Sequence, residues 1–470
     1  MLDLRTFLES EKNSIFRPSE EISTTHEITA IQYSLEKIKK YPIVYINKPL
    51  LDNKTISEFP VVTNLTASRE IVCRSLGIKD HKTVSSIYSK RTGNKIDPII
   101  INNNESPVKE IIKTSNFDLR NFPILKQHIG DPGPYLTAAH ATTYDPETKI
   151  DNTAIQRCWV KSKDKMTYFP YPSSHNYRNL QKFWSKKQPC PIVFWIGHHP
   201  AVLLGTQAKL KYPESHWRAC GGLLGEPLRL TPSHLFGSDI MVPADAEIVI
   251  EGEIPPDYFE ADGPFGEYTG YSGPQIAAPI VNVKCITMRK KPIYHDYGSG
   301  LADMLVPDNI AMEGKVFNIC KQIAPSVTKV HVPAQGRRFH AYITLDKPGP
   351  GEAKDVLMAA LSYRRIKMAI VVDDDIDIFD DSEVMFSLAT RVQWSRDSFT
   401  IGGLSGSLLD PSTPSGANTL SKIGIDATLP LPINPNFPSP TPPRSKVPDN
   451  AIKKVSQIIY NTDFNGWPQL

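Results

Sequence analysis

The segment 260–274, EADGPFGEYTGYSGP, brings three carboxylates close together along the chain: Glu260, Asp262 and Glu267. Its two Gly-Pro pairs predict turns, and its glycines let the backbone take φ values that other residues avoid, so we expect the acids on a shaped loop rather than in a regular element. Such loops often carry binding or catalytic groups, and paired acids are typical of proton transfer, including that of carboxylate-pair hydrolases. A solvated acidic turn after a strand is the alternative.

Arg157 is the second group of chemical interest, because of the strand that must carry it. On a strand predicted over 153–160, Ile155, Arg157 and Trp159 share one face. A guanidinium between two large apolar side chains would cost on the order of several kcal/mol without an anion beside it. We therefore expect a carboxylate partner, either from the protein in a structural salt bridge or from a bound ligand.

The histidines are weaker indications of a site. Ser173 or Ser174 is placed to cap a helix, and His175 then lies in its first turn, where free backbone N–H groups favour a phosphate. A histidine at that position can equally be a capping residue with no ligand. His198 and His199 lie inside an apolar segment and are more typical of packed or hydrogen-bonded histidines than of metal ligands.

The N-terminal region reads as alternating helices and strands. Apolar residues recur at helical spacing over 26–40. Strands are predicted at 43–46 and 61–65, followed by a helix at 69–76 that a glycine ends. This order is typical of a βαβ-like α/β domain.

From about residue 120 the pattern changes to strands joined by turns. The predicted strands are 135–144 and 153–160, joined by a hairpin at 145–148, and then 191–204, 246–253, 279–288 and 292–297. The run 246–253 alternates apolar and charged residues, as a half-buried strand does. Residues 120–300 are therefore predicted to form a β-barrel or sandwich with few helices.

The last part of the chain returns to an α/β pattern. A strand is predicted at 341–345, a helix at 352–363 and a second strand at 366–372. Proline then recurs every few residues over 428–448, which predicts an extended spacer. A final helix at 451–462 carries apolar residues at helical spacing and can dock on a neighbour, which suggests an oligomer.

Composition sets limits on partners and location. The 470-residue chain is long enough for roughly three domains and a large core. Its 53 basic and 50 acidic residues give a formal charge of +3, which offers no electrostatic footprint for nucleic acid, so small molecules are the expected ligands. The six cysteines are spaced singly, which fits a reducing cytoplasm, and neither a signal peptide nor a membrane-spanning run is predicted.

The sequence resembles the UbiD family of prenylated-FMN-dependent (de)carboxylases over most of its length, up to about residue 410. The resemblance is carried by NLTASREIVCRSLGI (64–78), GDPGPYLTAAHATTYDPETKIDNTAIQR (130–157), GLLGEP (222–227), DGPFGEYTGY (262–271) and VVDDDIDIFD (371–380). It implies an α+β multidomain fold. The implied parts are an N-terminal α/β domain over 1–119, a central split β-barrel flavin-binding domain over 120–305, a C-terminal α/β dimerisation domain over 306–426, and a proline-rich linker with a C-terminal helical arm over 427–470.

In this family an arginine and two acids form the catalytic trio, which falls here on Arg157, Asp262 and Glu267, with Glu267 as the proton donor. The chemistry agrees with these residue types. Loss of CO₂ leaves a carbanion that needs an electron sink, which no side chain supplies, so a cofactor must carry the charge. Arginine can bind a carboxylate through its planar fork, and a carboxylic acid whose pKa is raised by burial and a like-charged neighbour can return the proton.

The resemblance also implies prenylated FMN (prFMN) as the cofactor, with Mn²⁺ or another divalent metal, and K⁺, near its phosphate. The implied cofactor contacts are Asn152, Ile155, Gln156, Arg157, His175 and Lys367. The implied metal ligands are Asn152, His175 and either His216 or Glu214. The implied partners are a small-molecule carboxylic acid substrate, a flavin prenyltransferase that supplies the cofactor, and further copies of the chain in a homodimer or larger homo-oligomer.

Two residues depart from the pattern of the family. Asp262 stands where members generally have glutamate, so its side chain is one methylene shorter. His216, ten residues before Glu226, stands where the third metal ligand is usually a glutamate, and Glu214 is the carboxylate nearby. The leading prediction is reversible, non-oxidative decarboxylation of an aromatic or α,β-unsaturated acid. The departures keep open an alternative, a flavin-binding oligomeric protein without decarboxylase turnover.

Overall fold

The computed structural model describes residues 2–413, 419–430 and 444–462. The chain divides into two units, Met1–Ala427 and Thr428–Leu470. Within the described ranges, no helix is both long enough and apolar enough to cross a membrane. The cytoplasmic location and the domain boundaries at 119, 305 and 426 stay predictions.

The N-terminal region alternates short helices and strands. Its elements are α1 (Leu4–Ser10), β1 (Ile15–Phe16), α2 (Glu27–Lys37), β2 (Ile43–Ile46), β3 (Val61–Thr63), α3 (Arg69–Leu76), α4 (Val84–Gly93), β4 (Ile99–Ile100) and β5 (Ile111–Lys113). The predicted helices and strands of this region are confirmed as α2, β2, β3 and α3. α3 ends at Gly77, whose φ of 63° lies in the left-handed region that glycine adopts without strain.

The pairing of these strands is only partly βαβ-like. β1 and β2 are parallel with α2 between them, but β2 and β3 are antiparallel. β3 then pairs in parallel with Tyr294–His295. The segment 292–297, predicted to continue the central sheet, therefore belongs to the N-terminal one. A strand pattern in the sequence identifies a strand but not its neighbour.

The central region is dominated by one large sheet. Its elements are β6 (Tyr135–Tyr144), β7 (Asp151–Trp159), β8 (Lys165–Thr167), α5 (His175–Trp184), β9 (Cys190–Ile196), α6 (Pro200–Gly205), α7 (His216–Leu224), β10 (Arg229–Ser233), β11 (Gly237–Pro243), β12 (Ile248–Ile254), β13 (Phe259–Asp262), β14 (Phe265–Gly266), β15 (Ser272–Gly273), β16 (Ile276–Met288) and β17 (Tyr294–His295). The sheet order is β13-β16-β12-β9-β6-β7, with β5 and β8 also paired to β16. The predicted hairpin is confirmed as the antiparallel pair of β6 and β7.

Two strand predictions for this region need correction. The strand predicted over 191–204 stops at Ile196, because His199 caps a helix: its ring nitrogen accepts the N–H of Ala201 at 3.2 Å, and Pro200 suits the first helical position. The strand predicted as half-buried over 246–253 is buried on both faces as β12, because Ile248 and Ile250 pack into one hydrophobic cluster and Val249, on the other face, packs into a second. Even Glu251 is fully buried, with its carboxylate accepting backbone N–H groups of the turn after β10.

The C-terminal part of the first unit is a five-stranded sheet with helices. Its elements are α8 (Ala302–Ile323), β18 (Val327–His331), β19 (His340–Leu345), α9 (Glu352–Leu361), β20 (Met368–Asp373), α10 (Asp381–Arg391), α11 (Trp394–Asp397), β21 (Ser398–Ser405) and β22 (Thr419–Asp426), in the order β18-β19-β20-β22-β21. The predicted strands and helix are confirmed as β19, α9 and β20. In the second unit, α12 (Asp449–Tyr460) confirms the final helix. Residues 431–443 of the predicted spacer lie outside the described residues.

One buried carboxylate links the N-terminal region to the C-terminal part of the first unit. Glu313 of α8 is fully buried and accepts from Arg69 of α3 at 2.8 Å and from His331 of β18 at 2.8 Å. Burial alone would raise the pKa of Glu313, but the charge of Arg69 and the bond from His331 lower it to about 2. The ionised carboxylate is therefore a point at which α3, α8 and β18 are held.

We expect Glu313→Gln to lower the free energy of unfolding by about 3 to 5 kcal/mol at neutral pH, because it leaves the Arg69 charge without its partner. The folded pKa of about 2 lies below the ordinary 4.5, so ionised Glu313 stabilises the fold above about pH 4.5. That contribution is lost as the pH falls towards about 2. Urea unfolding at several pH values measures both effects, and the wild type and variant should converge in acid.

Glu9→Gln is the matched control. Glu9 makes an exposed ion pair with Lys12, so its replacement should change the unfolding curve little at any pH. Equal effects of the two replacements would contradict the central role of Glu313.

Candidate active site

Arg157 and Asp262 form an ion pair between two strands. Arg157 lies on β7, and Asp262 is the last residue of β13. The predicted loop position of this acid is therefore corrected, because pairing with β16 extends the strand to Asp262. Its Oδ2 accepts from Arg157 Nε at 3.3 Å and from Nη2 at 3.1 Å, and its side chain is 1% exposed. The partner that Arg157 requires is a carboxylate of the protein.

Thr167 holds the other oxygen of Asp262. Its hydroxyl, at the end of β8, donates to Asp262 Oδ1 at 2.7 Å and accepts the backbone N–H of Trp159 at 3.0 Å. Because the N–H can only donate, the single hydroxyl proton must point at the carboxylate. Both oxygens of Asp262 are thus occupied, and its orientation is set by two strands. A threonine in a strand pattern carried no signal by which the sequence could reveal this role.

Glu267 completes the group from the opposite side. Its Oε1 accepts from Arg157 Nη1, and its side chain is 16% exposed. The backbone folds into a tight turn here, since the N–H of Glu267 donates to Tyr271 O and the N–H of Gly270 donates back to Glu267 O, both at 2.9 Å. The structure therefore brings the three predicted catalytic residues together around one guanidinium.

Glu260, the third acid of the segment, is placed elsewhere. Its carboxylate accepts from Tyr258 Oη at 2.6 Å and lies 3.6 Å from Lys161 Nζ. It therefore makes an ordinary ion pair at the edge of β13, and it leaves Arg157 to the other two acids.

Close packing fixes the turn that carries Glu267. A Cβ on Gly266 would lie 2.5 Å from the His128 ring, so only glycine fits there. Gly300, with a φ of 73°, brings the backbone so close that a Cβ would lie 3.0 Å from the carbonyl oxygen of Glu267. Between them, the Ser299 hydroxyl donates to the carbonyl of Gly266, while its N–H donates to Gln127 Oε1 at 2.7 Å. The segment after β17 therefore packs against the turn that carries Glu267 and supports it.

A cavity of about 610 Å³ opens beside this group. Asn152, Ile155 and Gln156 of β7 line it, and Gln156 directly precedes Arg157 in the strand. Tyr268, which follows Glu267 in the chain, also lines it. Among the predicted cofactor and metal residues, those that line it are Asn152, Ile155, Gln156, His175 and His216. Burial lowers the pKa of His216 to about 3 and lowers that of His175, so both imidazoles are neutral near pH 7.

The rest of the cavity wall is strongly cationic. Among the described residues, the basic ones that line it are Lys209, Lys315, Arg338, Arg364 and Arg365, and the single acid is Asp308. These cations were not predicted, because they lie in separate segments of the sequence and only the fold collects them.

Three predicted cofactor or metal residues do not line this cavity: Glu214, Lys367 and Arg157, which binds its two acids. Glu214 makes an ion pair with Lys95 at 3.0 Å. Lys367 donates to Asp410 at 2.8 Å and to Ser412. Of the two residues weighed for the third metal position, His216 is the one that lines the cavity.

Known proteins match this chain over most of its length. Models of the N-terminal, Rift-related and C-terminal domains of 3-octaprenyl-4-hydroxybenzoate carboxy-lyase, the UbiD domains, match residues 9–90, 100–301 and 309–427. The UbiD-class enzyme HmfF from Pelotomaculum thermopropionicum, solved in complex with FMN, is 33% identical with a TM-score of 0.89, covering 97% of this chain and all of that one. The chain belongs to the UbiD family.

Two further relatives extend the comparison. An evolved dimeric form of HmfF in complex with prFMN is 31% identical, with a TM-score of 0.86, and covers 98% of this chain and 100% of its own. The anhydromevalonate phosphate decarboxylase of Methanothermobacter thermautotrophicus is 28% identical over 436 residues, which are 91% of this chain and 97% of that protein. The predicted UbiD resemblance is confirmed, the chain is an enzyme of the decarboxylase class, and its mixed α/β multidomain fold is that of UbiD-class enzymes.

The cavity suits a flavin nucleotide of the kind bound by these UbiD-class structures. Its volume falls in the range of about 300 to 1,000 Å³ that is usual for small-molecule sites. Tyr171, Tyr268 and Tyr363 provide aromatic surface, and the cations provide a place for a phosphate.

The residues at the predicted divalent-metal position suit Mn²⁺ poorly. Asn152, His175 and His216 supply neutral donors, whereas Mn²⁺ favours carboxylate and other oxygen ligands. Among the described residues, no group of three or more His, Cys, Asp or Glu side chains is arranged to hold a metal. The five cations of the wall would also repel a divalent ion.

We expect Thr167→Val to lower the free energy of unfolding by about 1 to 3 kcal/mol, since it leaves Asp262 Oδ1 and the Trp159 N–H without their partner in a buried site. Thr167→Ser keeps the hydroxyl and should cost clearly less. Chemical denaturation of the two variants measures the difference. A larger loss in Thr167→Ser than in Thr167→Val would mean that the methyl group, and not the hydrogen bonds, accounts for the role of Thr167.

Proposed function

We propose that this UbiD enzyme uses prFMN for the reversible, non-oxidative decarboxylation of an aromatic or α,β-unsaturated carboxylic acid. The observation that carries the proposal is the Arg157 guanidinium shared by Asp262 and Glu267 beside a flavin-sized cationic cavity. A split barrel around the flavin, a homo-oligomer, and cofactor supply by a flavin prenyltransferase belong to the same proposal.

The two acids have different tasks, and their burial separates them. Asp262 is almost fully buried and has both oxygens bonded, so it serves as the permanent partner of Arg157. Glu267 is more exposed and makes a single bond to the guanidinium. When Glu267 is protonated, it no longer needs the Arg157 charge, and Nη1 becomes available to a substrate carboxylate.

Glu267 also supplies the proton that replaces the lost carboxylate on the substrate. Arg157 orients the substrate carboxylate, and Asp262 keeps the guanidinium in place while the C–C bond to CO₂ breaks. The flavin, when bound, supplies the electron sink for the resulting carbanion. Glu267 delivers its proton to that carbon and, once ionised, is drawn back to Arg157 Nη1.

The rival functions have less support. A flavin-binding protein without turnover would follow if the shorter Asp262 lost Arg157, yet Asp262 reaches two guanidinium nitrogens. A carboxylate-pair hydrolase needs two acids that flank a substrate bond, whereas here both acids are held by one guanidinium.

Glu267→Gln tests the assignment of the proton donor. The enzyme would be produced with a flavin prenyltransferase, checked for a modified flavin by absorbance, and assayed for CO₂ release from a panel of aromatic and α,β-unsaturated acids. We expect the variant to lose at least about 100-fold in turnover, because general acids contribute about 10²- to 10⁴-fold. Arg157→Ala should lose as much, since the substrate carboxylate then has no fork to bind.

Glu260→Gln is the matched control, because it removes an acid of the same segment that pairs with Lys161 and not with Arg157. It should turn over at close to the wild-type rate, and circular dichroism should show all three variants folded. A fully active Glu267→Gln, or a fully active enzyme from cells without the prenyltransferase, would refute the proposal.

Asp262 offers a separate test, because the site is built around the shorter side chain. Asp262→Glu adds a methylene where Thr167 and Arg157 already fill the bonding positions, and displacements of about 1 Å can change rates by about 100-fold, so we expect lower activity. Asp262→Asn keeps the shape but removes the charge that holds Arg157, and should be worse. If Asp262→Asn kept the wild-type rate and pH profile, Asp262 would have only a structural role.

A further inference from the structure

Three cations converge on one carboxylate in the cavity wall. Asp308 of α8 lies 3.1 Å from Arg338 Nη1 and also pairs with Lys209 Nζ and Arg365 Nη1. The Asp308 side chain is 7% exposed, and its cations come from the loop after α6, from the turn before β19 and from the segment before β20. We call these four residues the Asp308 cluster.

The charges within the Asp308 cluster do not balance. Three cations share one anion, which leaves an excess of two positive charges in a largely buried place. Lys315 and Arg364 extend the imbalance along the same wall. Like charges held this close repel each other strongly when water is excluded, so the arrangement calls for an anion from outside the protein.

Arg338 has a buried N–H donor that could bind such an anion. The residue is 7% exposed and lines the cavity, and its Nε has no hydrogen-bond partner among the residues described. Its Nη2 donates to Met304 O at 2.8 Å, which fixes the plane of the guanidinium. An unsatisfied buried donor is unfavourable, so an acceptor that enters the cavity is favoured.

The backbone that presents Arg338 is strained. Arg337 and Arg338 have φ values of 48° and 66°, two consecutive non-glycine residues in the left-handed region. Such residues are unfavourable and persist where the surroundings enforce them, often at binding sites. Both residues lie in the turn that brings Arg338 to Asp308.

We propose that Lys209, Arg338 and Arg365 form a binding site for a phosphate monoester, and that they take the place of a divalent metal in this enzyme. A phosphate dianion matches the excess of two charges, and guanidinium groups bind phosphate oxygens in pairs. His216, an imidazole where a metal-binding glutamate is usual, agrees with this replacement. The inference rests on the proposed function, because the flavin itself carries such a phosphate.

A phosphate on the substrate would use the same chemistry. Two ligands can therefore supply the phosphate: the flavin nucleotide, or an acid that is itself phosphorylated, like the one in the name of the decarboxylase from Methanothermobacter thermautotrophicus. The experiment has one arm for each source.

The first arm is calorimetric titration of the full-length, flavin-free chain with FMN and with riboflavin, in buffer with EDTA. If the cluster binds the flavin phosphate, Arg365→Gln should weaken FMN binding by about 10- to 100-fold and leave riboflavin unchanged, because riboflavin lacks the phosphate. The second arm is titration of the chain with inorganic phosphate, with and without bound FMN. If the cluster binds a substrate phosphate, FMN binding stays normal and phosphate binding to the FMN-loaded chain is lost in Arg365→Gln.

The choice of variant keeps the fold intact. Asp308 retains Lys209 and Arg338 after Arg365→Gln, so its charge stays paired, and thermal melting should confirm a folded protein. Arg365→Lys keeps the charge without the fork and should restore part of the affinity. Arg396→Gln, which breaks an exposed pair with Asp397, is the control and should bind as the wild type does.

The outcomes separate the inference from the proposed function. A chain that binds neither FMN nor riboflavin, whether EDTA or Mn²⁺ is present, would refute the flavin cofactor itself. Equal binding of FMN and of phosphate by the wild type and Arg365→Gln would overturn the Asp308 site while leaving the decarboxylase proposal standing. FMN binding that is abolished by EDTA and restored by Mn²⁺ would overturn the replacement of the metal.

Discussion

A guanidinium placed on an apolar strand face must be given anions at fixed positions, and much of the central region serves to supply them to Arg157. β13 brings Asp262 to one edge of the fork, and the turn after β14 brings Glu267 to the other. The segment after β17 supports that turn by close backbone contact. At least four separate segments thus meet around one charge, because a partly buried arginine on an apolar strand face is unfavourable without its acids.

The same arrangement explains how two carboxylates can act differently beside one arginine. Asp262 is fixed because Thr167 and the guanidinium occupy both of its oxygens, and the direction of the Thr167 proton is dictated by the Trp159 N–H. Within the part of the chain that the structure describes, the Glu267 side chain bonds to the guanidinium alone, and it retains some exposure. An acid that must exchange with a substrate has to be held by fewer bonds than one that must stay.

The shorter side chain of Asp262 illustrates how a departure from a family pattern is accommodated. The carboxylate is carried by the last residue of β13, and from that position the short side chain reaches two nitrogens of Arg157. Histidine at position 216 affects the charge of the cavity instead. Where glutamate would add a negative charge, His216 adds none, and the wall keeps a large cationic excess, so the charge of the whole cavity matters there more than a single ligand.

The sequence by itself determined most of the local elements, the UbiD family and the three residues around the guanidinium. Helical and strand periodicity located α2, α3, β6, β7 and β20, because these patterns depend on short-range spacing. Only the tertiary structure decided that residues 294–295 pair with β3, that Thr167 holds Asp262, and that Lys209, Arg338 and Arg365 meet at Asp308. The reason is physical: contacts between segments that lie far apart in the sequence leave no periodicity in either segment, and they exist only once the chain has packed.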